Sequence, residues 1–218
     1  MPNQQQTYNT PEIIGVLLAG GQSTRMKREN KCLASLNNKT LLRHVIDRMS
    51  PQVQKLILSV NGSLSHFEEF KLPLITDKIS DYAGPLAGIH AAMSWIQTHE
   101  PHIEWLLSTP TDTPFIPEDL AEKLYEKIPA NGPAIIQATS GNRVHPICSL
   151  WPVALRKDLE EALNNNMRKV RLWTENYNVI KVDFPVKTNG DLELDPFFNI
   201  NHPEDLDIAE KLGKAFNI

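Results

Sequence analysis

Short apolar runs rich in β-branched residues alternate along this chain with amphipathic stretches, and that alternation constrains the fold more than any other feature. "IIGVLLA" (13–19), "KLILSV" (55–60), "LPLIT" (72–76), "EWLLST" (104–109), "PAIIQAT" (133–139), "HPICSLW" (145–151) and "NVIKVDF" (178–184) have the length and composition of buried strands. Helices are predicted over 40–49 (stopped by Pro51), 85–99, 117–128, 153–164 and 203–216. Pro85 and Pro117 open two of them, and Glu118 and Asp119 put acids into a first turn, where the helix dipole favours them. Leu86, Ile89, Met93 and Ile96 recur at helical spacing and read as a core stripe. Strands alternating with helices predict a three-layer α/β protein, with a mostly parallel sheet and helices on both faces. The chain has 218 residues, with no internal repeat and no linker-like stretch. Residues 13–218 are therefore expected to form a single domain, preceded by a flexible N-terminal tail, "MPNQQQTYNTPE" (1–12).

In such sheets ligands bind outside the carboxyl ends of the strands, so polar clusters that follow apolar runs mark the expected site. Four qualify: "AGGQSTRMKRENK" after the first strand, "NGS" after "LILSV", "TDKISDYAGPLAG" after "LPLI", and "PTDTPF" after "WLLS". The first joins Gly20 and Gly21 to the cations Arg25, Lys27, Arg28 and Lys31. Glycines let a backbone approach a ligand closely and leave N–H groups facing it. Arginine grips phosphate bidentately, and lysine adds a compact charge. The loop is neither a GxGxxG fingerprint nor a P-loop, since no Gly-Lys-Ser/Thr closes it. It reads as a phosphate cradle, or else as a solvated turn with ordinary surface cations. The net charge of −4 argues against a general nucleic-acid binder and fits a small phosphorylated ligand better. No apolar run approaches the length that spans a bilayer, and the first twelve residues lack a signal-peptide core. Cys32 and Cys148 stand far apart without metal-ligand spacing, as suits a reducing cytoplasm.

Asp112 follows a strand of bulky residues between Pro110 and Pro114. Next to a triphosphate it would be a Mg²⁺ ligand; alone, it could equally cap its own backbone in an Asx-turn. Asp77 and Asn61 also fall at strand ends, as nucleotide contacts or as turn residues. Asn199 and Asn201 precede the last helix, where capping and turn chemistry would account for them. His99 and His102 read as exposed connector residues, and His145 as strand packing.

Taken together, "LLAGGQSTRMKRENK" resembles the LAGGxSxRMGxxK signature of nucleotidyltransferases with a GT-A-like, Rossmann-like fold. Within that group "LITDKISDYAGPLAG", "TPTDTPFIPEDL", "RVHPICSLW" and "FFNINHPEDL" are similar, in the same order, to segments of the molybdenum cofactor guanylyltransferases. The resemblance spans residues 13 to 210 and implies Mg²⁺-dependent transfer of GMP from GTP to the terminal phosphate of molybdopterin, in the cytoplasm and as a monomer. It also implies transient contacts with cofactor-biosynthesis proteins and molybdoenzyme targets. By position it places Leu18, Ala19 and Gly20 against the nucleotide through their backbone. Lys31 falls on the phosphate-binding lysine, Asn61 and Asp77 on nucleotide-binding positions, and Asp112 on the carboxylate that binds magnesium and GTP. Arg25 joins Lys31 and Asp112 as the expected catalytic set. Arg143 and His145 fall near the acceptor side, with Asn199 and Asn201 as further contacts to magnesium or to the acceptor's phosphate. Two positions depart from the signature: Lys27 replaces its glycine, and Thr111 stands where relatives often have cysteine. A related transferase using CTP or a sugar or alditol phosphate, and an idle nucleotide-binding protein of the same fold, remain alternative expectations.

Overall fold

The computed structural model describes residues 12–19, 31–77 and 84–218; the first eleven residues, Gly20, Arg25 and Lys27 lie outside the described residues. In chain order the elements are β1 (Ile13–Leu18), β2 (Ser35–Leu36), β3 (Lys39–Thr40), α1 (Leu41–Met49), β4 (Lys55–Ser59), β5 (Leu74–Ile75), α2 (Pro85–His99), β6 (Trp105–Pro110), α3 (Leu120–Tyr125), β7 (Ile135–Ser140), β8 (Arg143–Pro152), α4 (Arg156–Asn164), α5 (Val170–Thr174), β9 (Val179–Asp183), β10 (Lys187–Asn189), β11 (Leu192–Leu194) and α6 (Pro203–Phe216). Seven strands form one sheet in the order β5-β4-β1-β6-β8-β7-β9. Its pairings are parallel except where β8 meets β6 and β7.

The two-residue period of each strand sorts its side chains onto the two faces. On β1, Ile13 and Leu17 point to one face, where Leu42, Val45 and Met49 of α1, Leu120 and Leu124 of α3, and Phe67 and Phe70 cover them. Ile14, Val16 and Leu18 point to the other, under Leu86, Ile89, Met93 and Ile96 of α2, Leu159 of α4 and Trp173 of α5. The four-residue stripe on α2 is fully buried, as its spacing implies. Both faces of a central strand are thus apolar, which is why β1 reads as a continuous hydrophobic run. A third cluster seats α6 through Ala209 and Leu212 against Leu36, Leu41, Phe115 and Ile200. Among the described residues no helix is long and apolar enough to cross a membrane.

Several elements differ from their sequence expectation. The helix expected over 117–128 contracts to Leu120–Tyr125. Its start is set by a distant side chain: Ala121 N–H donates to Gln52 Oε1 at 2.9 Å, while Gln52 Nε2 donates to the Pro117 carbonyl at 2.8 Å. The strand expected over 72–76 keeps only Leu74–Ile75, because pairing stops there at the sheet edge. Residues 153–155 form a 3-10 turn ahead of α4. The 3-10 segment Leu64–Phe70, helix α5 and the hairpins β2–β3 and β10–β11 have no counterpart in the sequence reading.

Candidate active site

Register places the expected residues side by side. Leu18 pairs with both Ser59 and Pro110, and Ser59 pairs with Ile75, so β1, β4, β5 and β6 end level. Ala19, Asn61, Asp77 and Asp112, each just beyond one of these ends, therefore share one edge. Since β8 runs antiparallel to β6, its first residues, including Arg143 and His145, return to that edge beside Ser140, the last residue of β7. Helix α2 comes down onto the same edge closely enough to require Gly88. A Cβ there would lie 2.8 Å from Leu18 Cδ2 and 2.9 Å from Ser59 Oγ.

Asp112 is the centre of the first cluster. Lys31 Nζ donates to Asp112 Oδ2 at 2.6 Å and to Asn201 Oδ1 at 2.9 Å, with Asn199 Oδ1 at 3.5 Å. The Ile200 N–H donates to the Asp112 carbonyl at 2.9 Å, which holds the 199–201 segment against the end of β6. Asp112 Oδ1 is buried and has no hydrogen-bond partner among the described residues. The carboxylate therefore does not cap its own backbone, and the Asx-turn reading fails. A buried carboxylate oxygen without a donor is costly unless a ligand completes it. Asn199 and Asn201 do not cap α6 through their side chains either. That role falls to His202 and Asp205, the latter accepting from the backbone N–H of Asn201 at 2.7 Å and of His202 at 2.8 Å. The two amides are thereby left to face Lys31.

Beyond β4 and β5, Asn61 Nδ2 donates to Asp77 Oδ2 at 3.0 Å, so the ends of these strands are joined through their polar side chains. The Ala19 N–H is spent on the Ser59 carbonyl at 2.9 Å, and Leu18 O accepts from Thr111 Oγ1 at 3.4 Å. Thr111, which the sequence left without a role, thus ties the end of β6 to the end of β1.

On the other side of Asp112, His145 Nε2 lies 2.7 Å from Ser140 Oγ, which donates to Asp195 Oδ1 at 2.7 Å; Phe197 N–H donates to the same oxygen at 2.8 Å. The Phe197 ring stacks on His145 with centroids 4.5 Å apart. Burial holds the His145 imidazole below its ordinary pKa, with Asp195 opposing and Arg143 reinforcing that shift. Arg143 itself is exposed. Ser140, Asp195 and Phe197 escaped the sequence reading, since nothing local marks a serine at a strand end or an Asp-Pro turn as part of a site. One segment, 195–201, thus touches both clusters. Both thiols beneath are buried. Burial raises Cys32 to about 11 and Cys148 higher still, the latter also facing Asp112 and Asp195.

No three His, Cys, Asp or Glu side chains gather into a metal-binding group among the described residues. A cation held by Asp112 would complete its coordination with oxygens of a bound substrate and water. That donor set suits Mg²⁺, which favours one or two carboxylates, phosphate oxygens and water.

Comparison with known proteins shows the family. The MobA-like NTP transferase domain matches residues 15–179. The molybdenum cofactor guanylyltransferase of Nitrobacter hamburgensis is 40% identical over 208 residues, covering 95% of this chain and 97% of its own. That of Rhodopseudomonas palustris strain HaA2 is 41% identical over 214 residues, 98% of each chain. The crystal structure of molybdopterin-guanine dinucleotide biosynthesis protein A from Archaeoglobus fulgidus superimposes with a TM-score of 0.70 at 25% identity, covering 92% of this chain and 98% of that one. The fold, the near-complete coverage and the level of identity lead to one conclusion: this chain is a nucleotidyltransferase and belongs to the molybdenum cofactor guanylyltransferase family.

Proposed function

We propose that the protein transfers GMP from GTP to the terminal phosphate of molybdopterin, releasing pyrophosphate and forming a guanine dinucleotide of the cofactor. The observation that carries this reading is the buried Asp112 oxygen that has no hydrogen-bond partner among the described residues, set among Lys31, Asn199 and Asn201 at the carboxyl edge of the sheet. A nucleotide bound along Leu18, Ala19, Asn61 and Asp77 brings its triphosphate to this cluster, with Gly20 and Arg25 of the glycine loop as further contacts. The acceptor then lies toward Arg143 and His145.

A phosphate monoester has a second pKa of about 6 and is largely dianionic at pH 7, so no strong base is needed to make it a nucleophile. One of its oxygens forms a bond to the α-phosphorus of GTP while the bond to the β-phosphate bridge breaks, and pyrophosphate leaves with the electron pair. Asp112 would hold the Mg²⁺ through its carboxylate, whose Oδ1 has no hydrogen-bond partner among the described residues while Oδ2 accepts from Lys31. When bound, the ion neutralises charge on the triphosphate and on the departing pyrophosphate. Lys31 places its ammonium at the same point and stabilises the leaving group directly, and Arg25 does so from the loop. Positioning and charge neutralisation then account for the rate.

The test is pyrophosphate release with each of the four nucleoside triphosphates, with and without molybdopterin. GTP alone should support acceptor-dependent release, and should bind at least roughly tenfold tighter than ATP, about 1.4 kcal/mol. Guanine offers N1–H and N2 amino donors to acceptors lining the site, and adenine, which lacks donors there, leaves those acceptors unpaired. Equal affinities, a preference for CTP, or release only with sugar or alditol phosphates would overturn the reading.

A further inference from the structure

We propose that Asp195, Ser140 and His145 form a positioning relay that presents His145 Nδ1 as a hydrogen-bond acceptor to the N–H groups of a planar heterocycle on the acceptor substrate. The inference rests on the proposed function for the identity of that heterocycle, the pterin of molybdopterin, but not for the relay itself. The direction of the relay follows from counting protons. A carboxylate can only accept, so the Ser140 hydroxyl, 2.7 Å from Asp195 Oδ1, must donate to it. A serine hydroxyl has one hydrogen. Its remaining contact, 2.7 Å to His145 Nε2, is therefore made with the serine oxygen accepting and the ring nitrogen donating. A neutral imidazole protonated at Nε2 carries a bare lone pair on Nδ1.

Three further observations give that lone pair a use. Burial keeps the ring neutral at physiological pH, despite the nearby Asp195, with the charge of Arg143 acting in the same sense. Stacking on Phe197 at 4.5 Å fixes the ring plane, and the Phe197 N–H on Asp195 Oδ1 locks the relay to the strap that carries that phenylalanine. Among the described residues no hydrogen bond is formed at Nδ1, and His145 is half-buried, which leaves the ring partly open to solvent. A lone pair repels phosphate oxygens and selects N–H donors. His145 thus suits the heterocyclic end of the acceptor, while Asp112 and Lys31 serve its phosphate end.

The test combines nitrogen NMR of the histidines in the full chain with steady-state kinetics. His145 is assigned by difference from His145→Gln, and 6-hydroxymethylpterin is the probe. Wild type should show the Nε2-protonated tautomer, with its Nδ1 resonance moved by the pterin and not by inorganic phosphate. Ser140→Ala should mix the tautomers and raise KM for molybdopterin roughly threefold to tenfold, the worth of one neutral hydrogen bond, with kcat and the KM for GTP unchanged. Asp195→Ala removes the acceptor that fixes the Ser140 hydroxyl and should mix the tautomers and raise the molybdopterin KM in the same way. An Nδ1-protonated wild type, an Nδ1 resonance indifferent to pterin, or an unchanged molybdopterin KM in Ser140→Ala overturns the relay. If wild type ignores molybdopterin as a substrate while pterin still moves Nδ1, the proposed function fails and the relay stands.

Discussion

Replacing Asp112 with asparagine separates a catalytic carboxylate from a structural one. The amide keeps the shape and retains one oxygen to accept from Lys31 Nζ, which lies 2.6 Å from Oδ2 in the wild type. Its NH₂ then falls where Oδ1 sits, buried and without an acceptor among the described residues. An unpaired buried donor costs about 1–3 kcal/mol of stability, and in a chain of this size each kcal/mol lowers Tm by about 2–4 °C. The effect on turnover should be larger. An amide lacks the full negative charge that holds a divalent ion, and the charge stabilisation such an ion supplies is worth several kcal/mol. Losing about 3 kcal/mol of it slows turnover on the order of a hundredfold. GTP affinity in metal-free buffer should stay level or improve slightly, because the carboxylate repels phosphate when no cation lies between them. The assay is pyrophosphate release across a magnesium titration, paired with calorimetric GTP binding in the presence of a chelator. Near-normal turnover per folded molecule at low magnesium would refute the catalytic role and leave Asp112 with a folding role only.

Lys31→Met strands the Asp112 carboxylate, whose side chain is only 19% exposed, so Tm should fall by the equivalent of about 1–3 kcal/mol, and magnesium should raise the Tm of the variant more than that of wild type. An unchanged Tm and an equal magnesium response would show that the ion pair contributes nothing. Gly88→Ala forces a Cβ to within 2.8 Å of Leu18 Cδ2 and 2.9 Å of Ser59 Oγ, and should cost about 1–3 kcal/mol in urea unfolding. Burial holds His90 and His145 below their ordinary value of 6.5, so between pH about 7 and about 5 the unfolded chain binds protons first. Stability should be full above 6.5 and decline as pH falls through 6.5 toward the lowered native values; His90→Gln should flatten part of that slope, and an unaltered urea midpoint across the range would contradict the shift.

The layer order and most of the helices and main-sheet strands were legible in the sequence, because burial on both faces of a strand or on one stripe of a helix leaves a local pattern. Val16 to Ala19, or Leu86 through Ile96, declare their environment within a few residues. The expected positions of Asn61, Asp77 and Asp112 were legible for a related reason: polar residues directly after an apolar run must emerge at the carboxyl edge of the sheet. What no window of sequence contains is the partner of each. Lys31 and Asn201 stand 170 positions apart, and Ser140 and Asp195 stand 55 apart; only the closing of the 195–201 segment over the sheet edge sets one against the other. The start of α3 depends in the same way on Gln52, 69 residues earlier than Ala121. Hydrophobic patterning is a property of neighbours along the chain, so it survives in sequence. Hydrogen-bond satisfaction belongs to neighbours in space. For that reason the proton order of the Asp195–Ser140–His145 chain, and the Asp112 oxygen left without a partner among the described residues, were decided only by the tertiary structure.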